Sequence, residues 1–394
     1  MIKLLIYFLV FGIALEEVAV PIGDSNNIRL VEILNFIFIL FYFKTNAKII
    51  IPKMAYILFC LCGVIFLGVF FAPSPFAVIA KDMKIFFNVV GMICLANYIS
   101  RYSLYEDVYK AIKVVTFFEC IFAFVEYVFL TIGQENVLFH ATQSYYELVR
   151  VDGTFTDANY LGWFLACSCI VFFSRYLLKS MKKIDAIIWW FTFGALLLTL
   201  SRSSLLACLT GMSCIFLVYS RHNIRLLIKS IIFFGVIFVC VFLILDNLGV
   251  LERYTTMMDL ERGDVYVRIV LYVTAIDVFL DNIFLGVGAG NYMSAMGEYA
   301  RFTGATMIPH NSFLEIASET GVFSLGLMVY FFYTIICLGM KYVNKWLVLN
   351  MLGITICIII CGMFYSNTYY QYILYFYIAL GLSEIFQYGV DNSI

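Results

Sequence analysis

Charged residues are scarce in this chain: only 13% of its 394 residues are Asp, Glu, Lys or Arg, whereas 63% are apolar. A water-soluble domain carries about 25% charged and about 45–50% apolar residues, so this composition excludes one or two soluble domains and also excludes disorder. The apolar residues lie in runs close to the ~20 residues that a membrane-crossing helix needs. A membrane β-barrel would alternate apolar and polar residues instead, and it is excluded as well.

A basic segment is also missing. The net charge is −1, with 25 basic and 26 acidic residues, and no basic patch predicts nucleic-acid binding. The twelve cysteines fall in or beside apolar runs, so we interpret them as small apolar side chains and predict no disulfide framework. No conspicuous cluster of paired acids is present, since Asp259, Glu261 and Asp264 are better interpreted as a solvated loop face. We therefore predict neither a metal nor a cofactor.

The apolar runs predict an all-α polytopic membrane protein with about twelve transmembrane helices. The first run continues past Ala14 without a clear cleavage site, so we interpret it as a retained helix. The predicted spans are 3–22, 30–43, 54–72, 83–99, 111–130, 158–174, 184–200, 203–219, 227–245, 313–339, 346–364 and 370–387.

The distribution of basic residues predicts the orientation. Sixteen of the 25 Lys and Arg residues lie in short connections that share one side with both termini, and this side is the cytoplasm by the positive-inside rule. Two longer connections, about 131–157 and about 246–311, then face the outside. We expect residues 1–394 to form one integral membrane domain that these two external loops cap.

The large external loop contains an amphipathic helix, Val265 to Leu280, followed by a run of alternating glycines that includes Gly288 and Gly290. Glycine permits turns and close backbone approach that other residues forbid. No strand precedes the run in a βαβ unit, so it is not a dinucleotide fingerprint. Taken alone, the run favours a tight turn over a phosphate-binding loop.

His310 and Asn311 come immediately before the tenth predicted span. Ser312 and Glu315 have the spacing of a capping box, which predicts that a helix begins at this point. The start of a helix carries free N–H groups and partial positive charge, so this end suits an anion. A structural or solvated role for His310 remains the alternative.

Arg202 interrupts a long apolar run, and an arginine in a membrane segment is costly and usually functional. The alternative is a hairpin tip whose arginine reaches the outer interface. Arg150 lies just outside the sixth span, where it either pairs with a nearby aspartate or binds substrate. A guanidinium grips phosphate oxygens through a rigid two-pronged fork and stays charged. External arginines therefore suit a pyrophosphate carried on a lipid.

Together these motifs resemble the O-antigen ligase/polymerase (Wzy-type) superfamily of polysaccharide assembly enzymes. The resemblance spans about 150–326, and order, spacing and external placement all agree. The matching stretches are Arg150-x-x-Gly153-Thr154-Phe155 with Asn159 and Gly162, Leu200-Ser201-Arg202-Ser203, Arg268 followed by 283–291, and His310–Glu315 with Glu319-x-Gly321-Val322.

The resemblance implies a fold like that of the C-class glycosyltransferases and glycosyl transfer at the outer face of the plasma membrane. The donor would be a glycan on undecaprenyl pyrophosphate, without a metal or cofactor. Carried onto this chain, Arg202 and Arg268 would clamp the pyrophosphate, and His310 would orient or deprotonate the acceptor hydroxyl. The substrate-binding positions implied in the same way are Arg150, Asn159, Gly288, Gly290 and Asn311.

The identity of the acceptor stays open. A polymerase, favoured because polymerases are the more numerous members, would use a second lipid-linked repeat, whereas a ligase would use the lipid A core. A transporter of lipid-linked oligosaccharide is a third possibility, although the costly charges gather on one side and no internal repeat is evident. The expected location is the bacterial inner membrane, with the termini cytoplasmic and the large loop periplasmic. The expected partners are the undecaprenyl-pyrophosphate-linked oligosaccharide and, as a second candidate, a chain-length regulator protein.

Overall fold

The computed structural model of this chain describes residues 2–16, 18–22, 26–45, 48–133, 149–178, 180–221, 264–299 and 307–387, with a few single positions between 225 and 236. Within these ranges the protein is mostly helical, as expected. The helices are α1 (Ile2–Ala14), α2 (Leu30–Lys44), α3 (Lys53–Phe66), α4 (Pro75–Tyr102), α5 (Tyr105–Thr131), α6 (Ala158–Leu177), α7 (Lys183–Leu198), α8 (Arg202–Ser220), α9 (Asp264–Asp281), α10 (Tyr292–Tyr299), α11 (Ser312–Lys341), α12 (Trp346–Gly362) and α13 (Tyr372–Gln387).

The first predicted span, 3–22, is too long. The helix ends at Ala14, and the chain then forms a hairpin of two short antiparallel strands, β1 (Ala19–Ile22) and β2 (Asn26–Arg29). An ion pair of 2.8 Å joins Glu16 to Arg29 across the base of this hairpin. Two charges that pair with each other are more stable at the end of a helix bundle than inside an apolar span, so the apolar run does not continue as helix.

Five helical segments in the described ranges are long and apolar enough to cross a membrane: Lys53–Phe70, α5, α6, α8 and α11. α6 is the central one, because 89% of its apolar window is buried inside the protein against 39% in each of the other four. A helix that is apolar all round belongs in the interior. The less buried helices keep large exposed apolar side chains, as expected for contact with lipid.

Several other predicted boundaries shift. α4 begins at Pro75 rather than near residue 83, with Ser74 accepting a hydrogen bond from the N–H of Ala77 as its N-cap. The charges at Lys81 and Asp82 conceal this start in the sequence. Most of the predicted span 227–245 lies outside the described residues, as do residues 134–148, 246–263 and 300–306 of the two predicted external loops, so the count of twelve spans stays a prediction.

Contacts between distant parts of the chain define two ends of the helix bundle. At one end, the Thr154 hydroxyl donates to the carbonyl of Ala14 at 2.6 Å, and the Ser74 N–H donates to Asn291 Oδ1 at 2.8 Å. We call this end, formed by residues 14–16, 18–22, 26–30, 71–76, 149–160, 199–204, 282–291, 309–315 and 363–372, the loop end.

The opposite end carries ion pairs between the short connections. Lys3 lies 3.1 Å from Asp107, and Arg175 lies 2.8 Å from Glu106. These basic residues belong to the set on which the predicted orientation rests. The structure therefore separates them from the predicted site residues, which lie at or near the loop end.

Candidate active site

Tyr365, in the connection between α12 and α13, links the parts of the loop end that carry the predicted site residues. Its hydroxyl contacts the hydroxyls of Ser201 at 2.7 Å, Ser204 at 3.0 Å and Ser203. Its carbonyl accepts a hydrogen bond of 2.8 Å from Ser312 Oγ. The turn that holds Arg202 is thus fastened to the start of α11.

Arg202 is the first residue of α8 and is exposed. The turn before it is held in an uncommon conformation, since Leu200 has a φ of 50°. A positive side chain at a helix N-terminus is electrostatically unfavourable by itself, because that end already carries partial positive charge. An anion bound there would be attracted by both the side chain and the helix end.

Arg150 is held in place by two hydrogen bonds of 3.1 Å. Its Nε donates to the carbonyl of Thr199, and one terminal nitrogen donates to Asn159 Oδ1. The carbonyl of Asn159 in turn accepts a hydrogen bond of 3.2 Å from Ser204 Oγ. The structure thus brings Arg150 and Asn159 together and ties both to the turn that precedes Arg202.

His310 lies at the start of α11 in a left-handed conformation, with a φ of 48°, and it is half-buried. Burial lowers the pKa of its imidazole below the ordinary value of 6.5, the nearby Arg268 lowers this pKa further, and Asp157 opposes both effects. The imidazole is therefore neutral at pH 7 and able to accept a proton. Arg268, which is exposed on α9, is therefore near enough to His310 to act on its charge.

The predicted capping box at Ser312 and Glu315 is wrong. Asn311 is the N-cap of α11, and its side-chain oxygen accepts from the N–H groups of Phe313 and Leu314 at 3.0 and 3.1 Å. Ser312 is the first helical residue, and its hydroxyl donates a hydrogen bond to the carbonyl of Tyr365 instead of capping the helix. The Asn311 side chain thus has a structural part as the cap, and its assignment to substrate stays a prediction.

Three helices begin close to one another at this end. Asp157 caps α6, Ser201 caps α8 and Asn311 caps α11 through side-chain oxygens. The Tyr365 contacts join the last two, and Asn159 joins the first to them. Three positive helix ends beside three arginines form an environment that favours a strongly negative group such as a pyrophosphate.

Gly288 and Gly290 have a structural part in the fold. The loop that contains them lies against the break in α11 at Gly321, where the Gly288 N–H donates to the carbonyl of Glu319 at 2.8 Å. A Cβ at Gly288, whose φ is 92°, would lie 2.4 Å from the Cβ of Ala72. Their assignment to substrate stays a prediction.

Sequence reasoning missed a buried charge cluster next to the site. The Lys81 ammonium lies 2.7 Å from Glu315 and 2.7 Å from Glu319, and it faces the rings of Tyr369 and Tyr370 at 5.3 and 4.9 Å. The available signal was the group of charges at Lys81, Asp82 and Lys84 in an otherwise apolar stretch, and it was overlooked because the predicted span began after Lys81.

These positions allow one kind of chemistry to be stated. Arginines and helix N-termini can neutralise a leaving anion, and a neutral imidazole can take a proton from a hydroxyl. No group of three or more His, Cys, Asp or Glu side chains converges within the part of the chain that the structure describes, so none of those residues is assigned to a metal.

Residues 187–331 match a protein-family model described as O-Antigen ligase. A search of curated proteins found no match. The matched segment runs from α7 into α11 and holds the predicted site positions from Arg202 onwards, while Arg150 and Asn159 precede it. The match agrees with the resemblance drawn from the motifs. The match of residues 187–331 thus supports the similarity of this chain to the O-antigen polymerase/ligase superfamily.

Proposed function

We propose that this protein is a membrane glycosyltransferase that moves a glycan from an undecaprenyl-pyrophosphate-linked donor to a sugar hydroxyl of a second lipid-linked repeat. The supporting observation is that Tyr365 joins the start of α8, which carries Arg202, to the start of α11, which follows His310, while Asn159 ties Arg150 to the same end of the bundle. Guanidinium groups beside helix N-termini suit the pyrophosphate of the donor, and the family match is consistent with this chemistry.

In the proposed reaction the acceptor hydroxyl oxygen attacks the anomeric carbon of the donor glycan. The bond from that carbon to the pyrophosphate oxygen breaks, and undecaprenyl pyrophosphate leaves with the electron pair. His310 takes the proton of the attacking hydroxyl. Arg202 and Arg268 stabilise the charge that develops on the pyrophosphate, and preorganised donors of this kind contribute about 10²–10³ in rate each. Arg150, held by Asn159, contacts phosphate or glycan.

We further propose that the loop end faces the periplasm and that twelve spans cross the inner membrane. The ends of the bundle support this orientation, because the basic short connections lie opposite the site. The site then opens where lipid-linked repeats are exposed on the outer leaflet. Transfer to the lipid A core is the second candidate, because the match to the family model described as O-Antigen ligase is compatible with either acceptor.

The test is complementation of a deletion strain. R202A, R268A and H310A should each abolish long-chain surface glycan while the protein still inserts in normal amount. The matched control is R101A, because Arg101 is an exposed arginine on the last turn of α4 at the opposite end. A normal chain-length ladder in all three site variants would contradict the assignment.

The deletion strain itself separates the two acceptors. A single repeat on the core means that the missing activity is polymerisation. Polymer that stays on the lipid carrier and never reaches the core means that it is ligation.

A further inference from the structure

Two buried carboxylates lie on one face of α5, a helix that carries none of the predicted site residues. Glu119 and Glu126 are seven positions apart, which is about two helical turns, and their exposed fractions are 5% and 1%. A carboxylate inside a membrane-crossing helix is costly, and it usually marks a functional position with an identifiable partner. The partners of this pair therefore indicate what the pair does.

The partners belong to one short segment of the chain. The Glu126 carboxylate accepts from two consecutive backbone N–H groups, that of Asp152 at 3.2 Å through Oε1 and that of Gly153 at 2.9 Å through Oε2. Glu119 Oε1 accepts a hydrogen bond of 2.8 Å from the Thr154 hydroxyl. Two carboxylates thus hold three consecutive residues against α5.

This segment reaches into the bundle along α5. Glu119 lies twelve positions before Thr131, the last residue of the helix, and is therefore about 18 Å from that end along the helix axis. Non-helical backbone inside a membrane bundle needs acceptors for its N–H groups, because lipid supplies none. The two oxygens of Glu126 meet this need. In a glutamine, one of these oxygens would be replaced by an NH2 group, which cannot accept.

Arg150 stands at the start of the same segment. It lies two positions before Asp152, and Val151 between them is fully buried. The Arg150 guanidinium is held separately, by the carbonyl of Thr199 and by Asn159. The backbone next to Arg150 is thus fixed by α5, while its side chain is fixed from the turn before α8 and from the start of α6.

We propose that Glu126, assisted by Glu119, is a positioning residue for the transfer reaction: it holds the segment so that Arg150 binds the pyrophosphate of the lipid-linked donor. The inference rests on the proposed function for the identity of this anion, and it assigns Arg150 to phosphate rather than to glycan. A guanidinium binds phosphate oxygens through a fork of fixed geometry. A shift of the backbone next to Arg150 therefore weakens its grip on the anion.

The experiment measures the binding of inorganic pyrophosphate to the full-length protein in detergent by titration calorimetry. R150Q should weaken binding about tenfold to a hundredfold, because it removes hydrogen bonds from a charged donor. E126Q turns an NH2 group towards a backbone N–H, so it should weaken binding about threefold to tenfold. In the R150Q background E126Q should have no further effect, since residues that act through one another are not additive.

The matched control is E384Q. Glu384 is also buried, and it also accepts from two consecutive backbone N–H groups, those of Leu347 at 2.8 Å and Val348 at 3.3 Å. This anchor lies beside Trp346, which faces Arg175 at the end of the bundle opposite to the site. E384Q should leave the affinity for pyrophosphate unchanged in both backgrounds, even if it lowers the unfolding temperature.

The inference is overturned if the wild type binds no pyrophosphate, if R150Q or E126Q binds it as the wild type does, or if E126Q weakens binding equally in both backgrounds. A merely structural Glu126 would lower the unfolding temperature of E126Q and leave the affinity of the folded protein unchanged. If R202Q loses pyrophosphate binding but R150Q and E126Q keep it, the inference fails and the proposed function stands. Coupling between E126Q and R150Q in a protein that transfers no glycan would uphold the positioning of Arg150 and reject the proposed function.

Discussion

Replacing Lys81 by methionine tests whether the buried charge cluster holds α4 to α11. The side chains of Lys81, Glu315 and Glu319 are 8%, 3% and 5% exposed. Removing the cation leaves two buried carboxylates close together, and their remaining partners are the Asn367 N–H at 2.6 Å and the Tyr369 hydroxyl at 3.4 Å. Breaking a buried pair in this way costs about 3–5 kcal/mol, so K81M should unfold far more readily than the wild type.

The assay is heat- and denaturant-induced unfolding of the purified protein in detergent. In the K81M/E315Q/E319Q variant no charge is left unpaired, so most of the lost stability should return. K3M is the control, because Lys3 forms an ion pair with Asp107 but its side chain is 66% exposed, and such a pair contributes about 0–1 kcal/mol. If K81M loses no more stability than K3M, the cluster does not hold the helices together.

Two further predictions concern the site and the break in α11. If His310 acts as a base, the rate of transfer rises with pH through the His310 pKa. R268Q should move this rise to higher pH and D157N should move it to lower pH, because Arg268 lowers the His310 pKa and Asp157 raises it. Rate profiles that shift in the same direction in both variants, or in neither, would contradict the assignment. G321A should destabilise the protein by about 1–3 kcal/mol from backbone strain alone, because Gly321 has a φ of 77° and a Cβ there would lie 2.1 Å from a carbonyl oxygen of the glycine loop. G326A on the same helix has nothing within 4 Å of its Cβ and should leave unfolding unchanged or add up to about 1 kcal/mol of stability; equal melting of the two variants would refute the steric argument.

Apolar runs predicted most helices well, because a long stretch without charge has few stable alternatives to a buried or membrane-crossing helix. α11, for example, spans Ser312–Lys341 where 313–339 was expected. The misjudged boundaries lie at charged residues. The helix that precedes Glu16 ends early, whereas Lys81 lies inside a helix. The difference depends on the partners of the two charges, Arg29 for Glu16 and two glutamates for Lys81, which are distant in the sequence.

The sequence predicted those site residues whose type is itself unusual in an apolar chain, such as arginine and histidine. Arg150 and Asn159 were named separately, and the structure joins them by a hydrogen bond of 3.1 Å. Tyr365 and the serines around it were not found, because a tyrosine or serine in an apolar protein has the same pattern whether it packs or organises a site. Their role depends on contacts between residues more than 150 positions apart, which no local pattern contains.

The central claim is that arginines at the loop end neutralise a departing pyrophosphate. The most direct measurement is the release of undecaprenyl pyrophosphate by the purified protein, given a lipid-linked oligosaccharide donor and an acceptor. The wild type and R101Q should release it at the same rate, while R202Q should be about 10²–10³-fold slower. Release by folded R202Q and R268Q at the wild-type rate would contradict the claim.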